Sequence, residues 1–341
     1  MHTLIGWLRR KPLALVVAGL LVGGGAYWAA GGTSVDAAKT IFGYAGSGRE
    51  GIAVNLFLPN ELFVEQGDTV DWVNPYEEPH TITYLAGGAT YGFEDVANVE
   101  STAAFDGTQP FTSGFVVKDA HFSVTFKNQG AYTFLCLLHP GMTVDINVLP
   151  AGSVLPPQGA NSPQNTNTIE YAISLAEAAI AELQVPAAAT NADGTKNHTV
   201  LTGPGVPLPQ GSSVDVMKFY APNLNVAVGD TVTWKDETFV PHTVTFIPQD
   251  NLPDAINPFV PDVPSTEYDG STYVNSGILS AIPEFGNVTS FSLTFTKAGT
   301  YQYVCLLHAD QGMVGQIVVG SAASTGGSIT PPATGDGGLI E

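Results

Sequence analysis

Short runs in which hydrophobic and polar residues alternate recur along the chain. At 122–126, Phe, Val and Phe alternate with Ser and Thr, and at 69–72 Val and Trp alternate with Thr and Asp. Successive side chains of a strand point to opposite faces, so this alternation predicts strands with one buried face. Glycines indicate turns before such runs. Several short strands separated by turns are typical of an antiparallel sandwich.

The strand pattern occurs twice. Three segments return in the same order: GDTVDW at 67–72 as GDTVTW at 229–234, PHTIT at 79–83 as PHTVT at 241–245, and GAYTFLC at 130–136 as GTYQYVC at 299–305. The offset grows from 162 residues (229 against 67) to 169 (305 against 136), so the second copy has extra residues between its first His and its Cys. We therefore predict an all-β protein with two tandem domains, 35–149 and 197–320.

Between the two copies, the pattern changes from strand to helix. Residues 150–196 begin with a Pro- and Asn-rich stretch, and the hydrophobic residues of 167–183 then fall on one face of a helix. Asn167 with Glu170 three residues later resembles a helix-capping pair. We predict that 150–196 is a linker with a short helix that packs on a domain as a spacer. Binding of a partner helix is the alternative.

The two ends of the chain differ in composition from the domains. Within 1–34, three basic residues at 9–11 precede an apolar run at 13–30, which indicates a signal peptide or an N-terminal membrane anchor. Either one predicts an exported protein, periplasmic or extracellular, and the membrane anchor also predicts tethering by 13–30. The segment 321–341 is rich in Ser, Thr, Gly and Pro and is predicted to be a disordered tail.

The charge of the chain is strongly negative. There are 31 acidic and 11 basic residues, giving a net charge of −20. Such a surface repels nucleic acid and anionic membranes, so nucleic-acid binding is excluded. It favours either a basic protein partner or simply solubility, and the composition leaves both open.

Each copy carries one ordered set of four candidate metal ligands. A lone His is followed much later by Cys, by a second His three residues on, and by Met three or five residues after that: His80, Cys136, His139 and Met142, and then His242, Cys305, His308 and Met313. Two imidazoles, a thiolate and a weak axial thioether form the electron-transfer copper site. Zinc fits less well because a neutral thioether is a poor zinc ligand.

Two interpretations without metal compete with the copper sites. The only two cysteines, Cys136 and Cys305, could form one disulfide, but each stands in the same local motif of a different copy. A metal-free sandwich with buried cysteines is the other alternative. Both cysteines have His at the third following position, and this coincidence favours metal binding over either alternative.

These motifs resemble two fused cupredoxins of the plastocyanin/azurin superfamily, over 50–149 and 212–320. The loop Cys136 to Met142 has the spacing of amicyanin, and Cys305 to Met313 that of plastocyanin and pseudoazurin. The resemblance implies Greek-key sandwiches, one type 1 copper per domain and carriage of single electrons. It also implies that the second His of each site, 139 and 308, is exposed within an apolar patch where electrons enter or leave.

The chain departs from the family pattern at two pairs of positions. Leu138 and Leu307 stand where plastocyanins commonly have Pro, and Thr81 and Thr243 where they often have Asn. These departures affect the expected docking surface and reduction potential rather than copper binding. Because the two ligand loops differ by two residues, we also expect unequal potentials and a relay between the sites.

Multicopper enzymes of the superfamily need further histidines, which this chain lacks. It has no His-x-His pair, and apart from the four histidines among the candidate ligands only His2, His121 and His198 remain. We expect His121 and His198 to be solvated loop or strand-edge residues. The sequence thus predicts a non-enzymatic electron carrier whose partner is a cytochrome or a membrane electron-transfer complex. The alternative is a copper-binding, buffering or envelope structural protein without electron transfer.

Overall fold

The computed structural model describes residues 37–89, 104–209, 211–236, 238–248, 256–283 and 286–320. The leader predicted at 1–34 and the tail predicted at 321–341 lie outside these residues. Across the described ranges, no helix is both long enough and apolar enough to cross a membrane.

The first domain is a sandwich of two sheets. Its strands are β1 (Thr40–Arg49), β2 (Ile52–Leu58), β3 (Glu61–Glu65), β4 (Thr69–Val73), β5 (Thr83–Tyr84), β6 (Phe111–Thr112), β7 (His121–Thr125), β8 (Gly130–Leu135) and β9 (Thr143–Leu149). One sheet has the order β2-β1-β4-β7 and the other β3-β9-β8-β5-β6. Strands β1 and β4 pair in parallel, as do β3 and β9. The inward faces bury Trp72, Phe134 and Leu62 completely, as the alternating pattern predicts.

The second domain repeats this architecture. The strands after the first domain are β10 (Ala189–Thr190), β11 (Lys196–Thr202), β12 (Gly205–Pro207), β13 (Ser213–Val216), β14 (Phe219–Tyr220), β15 (Asn223–Ala227), β16 (Thr231–Lys235), β17 (Thr245–Phe246), β18 (Glu267–Tyr268), β19 (Val274–Asn275), β20 (Ser290–Phe295), β21 (Gly299–Val304) and β22 (Val314–Gly320). Its sheets have the orders β10-β11-β16-β20-β18, with β14 on β11, and β15-β22-β21-β17-β19. The predicted all-β fold with two tandem sandwiches is confirmed.

One hairpin connects the two domains through a shared sheet. Strands β12 and β13 pair with each other, and β13 pairs with β2 in antiparallel fashion, with Val214 opposite Val54. The first domain's sheet is thereby extended to six strands, β12-β13-β2-β1-β4-β7. The segment 205–216 lies within the predicted range of the second domain, yet it hydrogen-bonds to the first.

The predicted helix is present as α1 (Pro163–Glu182). It starts earlier than the pattern suggested, because Ser162 caps it by accepting from Asn165 N and Pro163 occupies the first turn. The predicted cap at Asn167 is therefore wrong. The buried face of α1, including Ile173, packs with apolar residues of β2 and β13. The helix is a spacer that covers the shared sheet, as expected.

Candidate metal centres

The first cluster lies at one end of the first sandwich. His80 is held by backbone bonds with Val116, and its Nδ1 lies 3.9 Å from Cys136 Sγ. Cys136 directly follows β8, and the loop after it turns back so that His139 Nδ1 lies 3.5 Å from the same sulfur. Met142 closes this loop, since its carbonyl accepts from Cys136 N at 2.9 Å. The turn thus returns the His and the Met to the end of the strand that carries the Cys.

The second domain builds the same arrangement. His242 pairs through its backbone with Leu279, and its Nδ1 lies 3.9 Å from Cys305 Sγ and 3.1 Å from His308 Nδ1. His308 Nδ1 is 3.4 Å from the sulfur. The carbonyl of Met313 accepts from Cys305 N at 3.0 Å, although this loop is two residues longer. The longer loop therefore closes on its Cys in the same way.

In each domain, the His, Cys and His side chains form one compact buried group. Their ligand atoms all lie within 4.8 Å of one another. Both cysteines are free, so the disulfide alternative is wrong. Met142 and Met313 are almost completely buried. Two imidazole nitrogens and one sulfur at this spacing form a donor set that suits copper.

The surroundings of both sulfurs favour the thiolate form. Burial alone would raise the pKa of Cys136, but hydrogen bonds from His139 and His80 lower that pKa well below its usual value. The pKa of Cys305 is likewise lowered against burial by the charge on His308. Since the thiolate is the form that binds a metal ion, the two sulfurs are prepared for coordination.

Comparison with known proteins identifies the family. Residues 50–149 and 208–320 match the family described as copper binding proteins, plastocyanin/azurin family. The chain belongs to this family. The match covers most of both sandwiches, and each domain contains one group that could hold copper.

Individual relatives match about one domain's length of this chain. A chloroplastic plastocyanin of Silene latifolia subsp. alba is 32% identical over 109 residues, 32% of this chain and 56% of the relative. An amicyanin of Paracoccus denitrificans is 33% identical over 107 residues, 30% and 59% respectively. The chain thus spans a little over half the length of these curated relatives. A solved structure of a reduced amicyanin mutant is 27% identical and covers 40% of this chain and 97% of its own, with a TM-score of 0.24.

A threonine after the first His of each site ties the ligand-bearing segments together. The hydroxyl of Thr81 accepts from Leu137 N at 2.8 Å, and that of Thr243 accepts from Leu306 N at 2.8 Å. The backbone N–H of each threonine lies 3.3 Å from the cysteine sulfur and donates to it. Threonine therefore performs a structural role at the positions where this chain departs from the family's Asn.

Sequence reasoning missed Gly46, which fixes the ring of His80. A Cβ placed on Gly46 would lie 2.0 Å from His80 Nε2, and the backbone there has φ of +83°. Only glycine allows β1 to approach the imidazole this closely. Glycine within a strand is a signal of close contact, but β1 also contains Gly43 and Gly48, so the sequence did not single out Gly46.

The second His of each site does not face solvent. His139 is 8% exposed and His308 is 3% exposed, so the exposure implied by the family resemblance is wrong. The ends of the two sandwiches that carry these histidines meet at a cleft of about 400 Å³, which is partly open to solvent and lined from both domains. We call His139 and His308 the outer histidines. Their burial follows from the pairing of the domains and was not visible within either copy.

A second residue that sequence reasoning missed, Glu78, lies between the outer histidines. Its Oε1 is 3.2 Å from His139 Nε2 and its Oε2 is 3.6 Å from His308 Nε2. Burial alone would raise the pKa of Glu78, but the charge on His308 and the hydrogen bond from His139 lower it to about 2. The signal in the sequence was a difference between the copies, because Val240 occupies the corresponding position.

The remaining histidines of the domains are not part of the clusters. His121 lies at the start of β7, half exposed, with Nδ1 2.9 Å from Asp71, as a strand-edge residue should. His198 lies inside β11 with Nε2 3.0 Å from Asp230 and is mostly buried. The prediction of a solvated residue is therefore wrong for His198, since an acidic partner permits its burial.

Proposed function

We propose that this protein is an exported blue copper protein that carries single electrons through two mononuclear type 1 sites. The proposed ligands are His80, Cys136, His139 and Met142 in the first domain and His242, Cys305, His308 and Met313 in the second. The observation that carries the proposal is the pair of buried His–Cys–His groups, each on the family's fold and each closed by a Met-containing loop. Bound copper would supply the one-electron couple between Cu(I) and Cu(II).

The surrounding residues support electron carriage by holding the ligands still. The Thr81 and Thr243 hydroxyls tie the first-His segment to the Cys loop, and Gly46 confines one imidazole. A donor set that keeps one geometry in both oxidation states lowers the reorganisation that each transfer requires. Among the described residues, no further group of three or more His, Cys, Asp or Glu side chains gathers in this way.

The location and partner are proposed from the sequence. The basic and apolar leader supports export to a periplasmic or extracellular compartment. If the leader is a membrane anchor, residues 13–30 tether the exported protein to the membrane. The net charge of −20 supports a basic docking surface on the partner. We infer that the partner is a redox protein, such as a cytochrome or a membrane electron-transfer complex.

Copper counting with visible spectroscopy tests the proposed sites. We expect two coppers per chain and an intense blue absorption, since thiolate-bound Cu(II) supplies the colour. The variants Cys136→Ser and Cys305→Ser should each retain one copper in a blue site and about half of the absorption. A native protein without blue absorption, or a serine variant with unchanged absorption, would contradict the proposal.

Burial of both outer histidines favours a second candidate function, the holding of copper without electron exchange. Stopped-flow mixing of the reduced protein with an oxidised c-type cytochrome distinguishes the two functions. A carrier exchanges electrons within seconds, and a holding protein takes minutes. Addition of the copper-free protein to the cytochrome controls for reduction by other groups.

A further inference from the structure

One carboxylate contacts a candidate ligand of each copper site. Glu78 Oε1 lies 3.2 Å from His139 Nε2, and Glu78 Oε2 lies 3.6 Å from His308 Nε2. All three side chains are one tenth exposed or less. A single buried side chain therefore connects the first domain's cluster to that of the second.

The orientation of the outer histidines makes this contact specific. In both, Nδ1 faces the cysteine sulfur and Nε2 faces Glu78. A metal-bound His usually donates its second ring N–H to a carboxylate or carbonyl, and this contact fixes the ring. Here one carboxylate serves two histidines. The contact with His139 is within hydrogen-bond distance, and that with His308 is an ion-pair contact.

The two copies differ at the places where they meet. Glu78 stands before Pro-His in the first domain, and Val240 stands before Pro-His in the second. The second ligand loop is longer by two residues (308 to 313 against 139 to 142), and its Gln311 donates from Nε2 to Glu78 Oε2 at 2.6 Å. The carboxylate of one copy and the longer loop of the other thus form one hydrogen-bonded group.

The shared sheet fixes this arrangement. Strand β13 hydrogen-bonds to β2 of the first domain. The turn before β13 lies against the first ligand loop so closely that a Cβ on Gly141 would be 1.6 Å from the carbonyl oxygen of Gly211. Backbone pairing and the Glu78 contacts therefore both hold the two clusters opposite each other. A buried carboxylate is stable only with such partners in place.

We propose that Glu78 joins the two copper sites into one redox unit, in which an electron passes between them by way of His139, Glu78 and His308. This inference rests on the proposed electron-carrying function. The reduced site loses one electron and the oxidised site gains it. No bond is formed or broken and no proton leaves the carboxylate, so the exchange needs no other reactant. The shared negative charge also stabilises the oxidised form of both sites.

Reduction potentials give an equilibrium test that does not depend on turnover. The isosteric variant Glu78→Gln removes one negative charge beside both outer histidines, so we expect the potentials of both sites to rise. Glu77→Gln is the charge-matched control, because Glu77 is a partly exposed neighbour paired with Lys118. It should leave both potentials unchanged. A shift confined to the first domain's site, or equal effects of the two variants, would overturn the proposal.

The exchange rate between the sites tests the path itself. One electron is added rapidly to the doubly oxidised protein, and its distribution is followed by freeze-quench EPR. A Met313→Gln background makes the second site spectrally distinct, because the axial ligand tunes a type 1 site. We expect Glu78→Gln and Glu78→Asp to slow the exchange about 10-fold, because each weakens the contacts that fix the two rings. Glu78→Asp keeps the charge but is too short to contact both rings.

The outcomes separate this inference from the proposed function. A native protein that does not bind two coppers, or that is not reversibly oxidised and reduced, contradicts the proposed function. If the native protein is oxidised and reduced normally, but electrons exchange between the sites as fast in the Glu78 variants as in Glu77→Gln, only the proposed role of Glu78 is contradicted. If Glu78→Gln does not fold, Glu78→Asp gives the comparison, and Gln311→Ala is its control, because it leaves the carboxylate and the candidate ligands in place and should exchange as the native protein does. Unchanged exchange in Glu78→Asp would also overturn the proposed path.

Discussion

At the scale of single residues, the sites depend on polar side chains that hold the ligands from behind. The Thr81 hydroxyl accepts from Leu137 N, and its own N–H donates to the Cys136 sulfur. One residue thus restrains two ligand-bearing segments. The second domain repeats both bonds with Thr243. These bonds supply rigidity that the proposed electron transfer requires.

Removal of the Thr81 hydroxyl should weaken the first site only. Thr81→Val leaves Leu137 N without an acceptor, so we expect a loss of about 1–2 kcal/mol in the free energy of unfolding. The first site's potential should move and the second site's should not. Urea unfolding and a redox titration measure both effects. Thr81→Ser keeps the hydroxyl and should behave as the native protein; a serine variant as impaired as the valine variant would show that the hydroxyl bond is not the cause.

A second difference between the copies predicts a pH-dependent stability. Asn74 donates from Nδ2 to the carbonyls of Glu78 and Val116, whereas the second copy has Asp236 at this position. Burial raises the pKa of Asp236 to about 6. A raised carboxyl pKa means that the folded state prefers the protonated form, so stability is full below about pH 4 and is lost as the pH rises through about 6.

Asp236→Asn should therefore stabilise the protein at neutral and alkaline pH. We expect a gain of about 1–3 kcal/mol in the free energy of unfolding near pH 8 and little change near pH 3.5. Urea unfolding of the copper-free protein at both pH values measures it. The reciprocal variant Asn74→Asp should lose stability at pH 8. A gain of equal size at both pH values would contradict burial of a charge as the cause.

The candidate Cys and second His of each site could be grouped from the sequence because their spacing is local. Cys136 and His139 stand on one short loop, and the return of the same spacing at Cys305 and His308 made chance improbable. Glu78 could not be predicted, because its role requires contacts with a loop 233 positions away in the chain. No periodicity or spacing encodes such a contact.

At the scale of elements, helix α1 and the β12–β13 hairpin bind the two domains together. The helix packs its apolar face on β2 and β13, which come from different parts of the chain but lie side by side in one sheet. The helix itself could be predicted from its 3.6-residue periodicity. The pairing of β13 with β2 could not, because strand pairing between distant segments leaves no local pattern.

Truncation of the helix face should loosen this connection. Ile173 is 1% exposed within the apolar cluster formed by α1, β2 and β13. Ile173→Ala should lower the free energy of unfolding by about 2–4 kcal/mol, because it removes buried methyl groups and leaves a cavity. Tyr171→Ala, on the exposed side of the same helix, is the control and should change it by less than about 0.5 kcal/mol. Equal losses in urea unfolding would show that the helix does not pack as described.

At the scale of the whole molecule, the duplication has produced a pair of facing sites. In a single domain of this family, an outer His at the surface could meet a partner directly. Here Glu78 of the first domain lies between the two outer histidines, so that His308 contacts the other domain through this carboxylate. The unequal ligand loops support the prediction of unequal potentials, and the redox titration that compares the native protein with Glu78→Gln also measures these potentials.

Pulsed EPR of the doubly oxidised protein tests most directly whether the two copper sites lie close together and opposite each other. Two Cu(II) ions in clusters joined by one carboxylate should give a clear dipolar coupling between their electron spins. The coupling should be absent from Cys136→Ser and from Cys305→Ser, each with a single blue copper. Two blue coppers per chain without measurable coupling would contradict the account, because the sites would then be far apart.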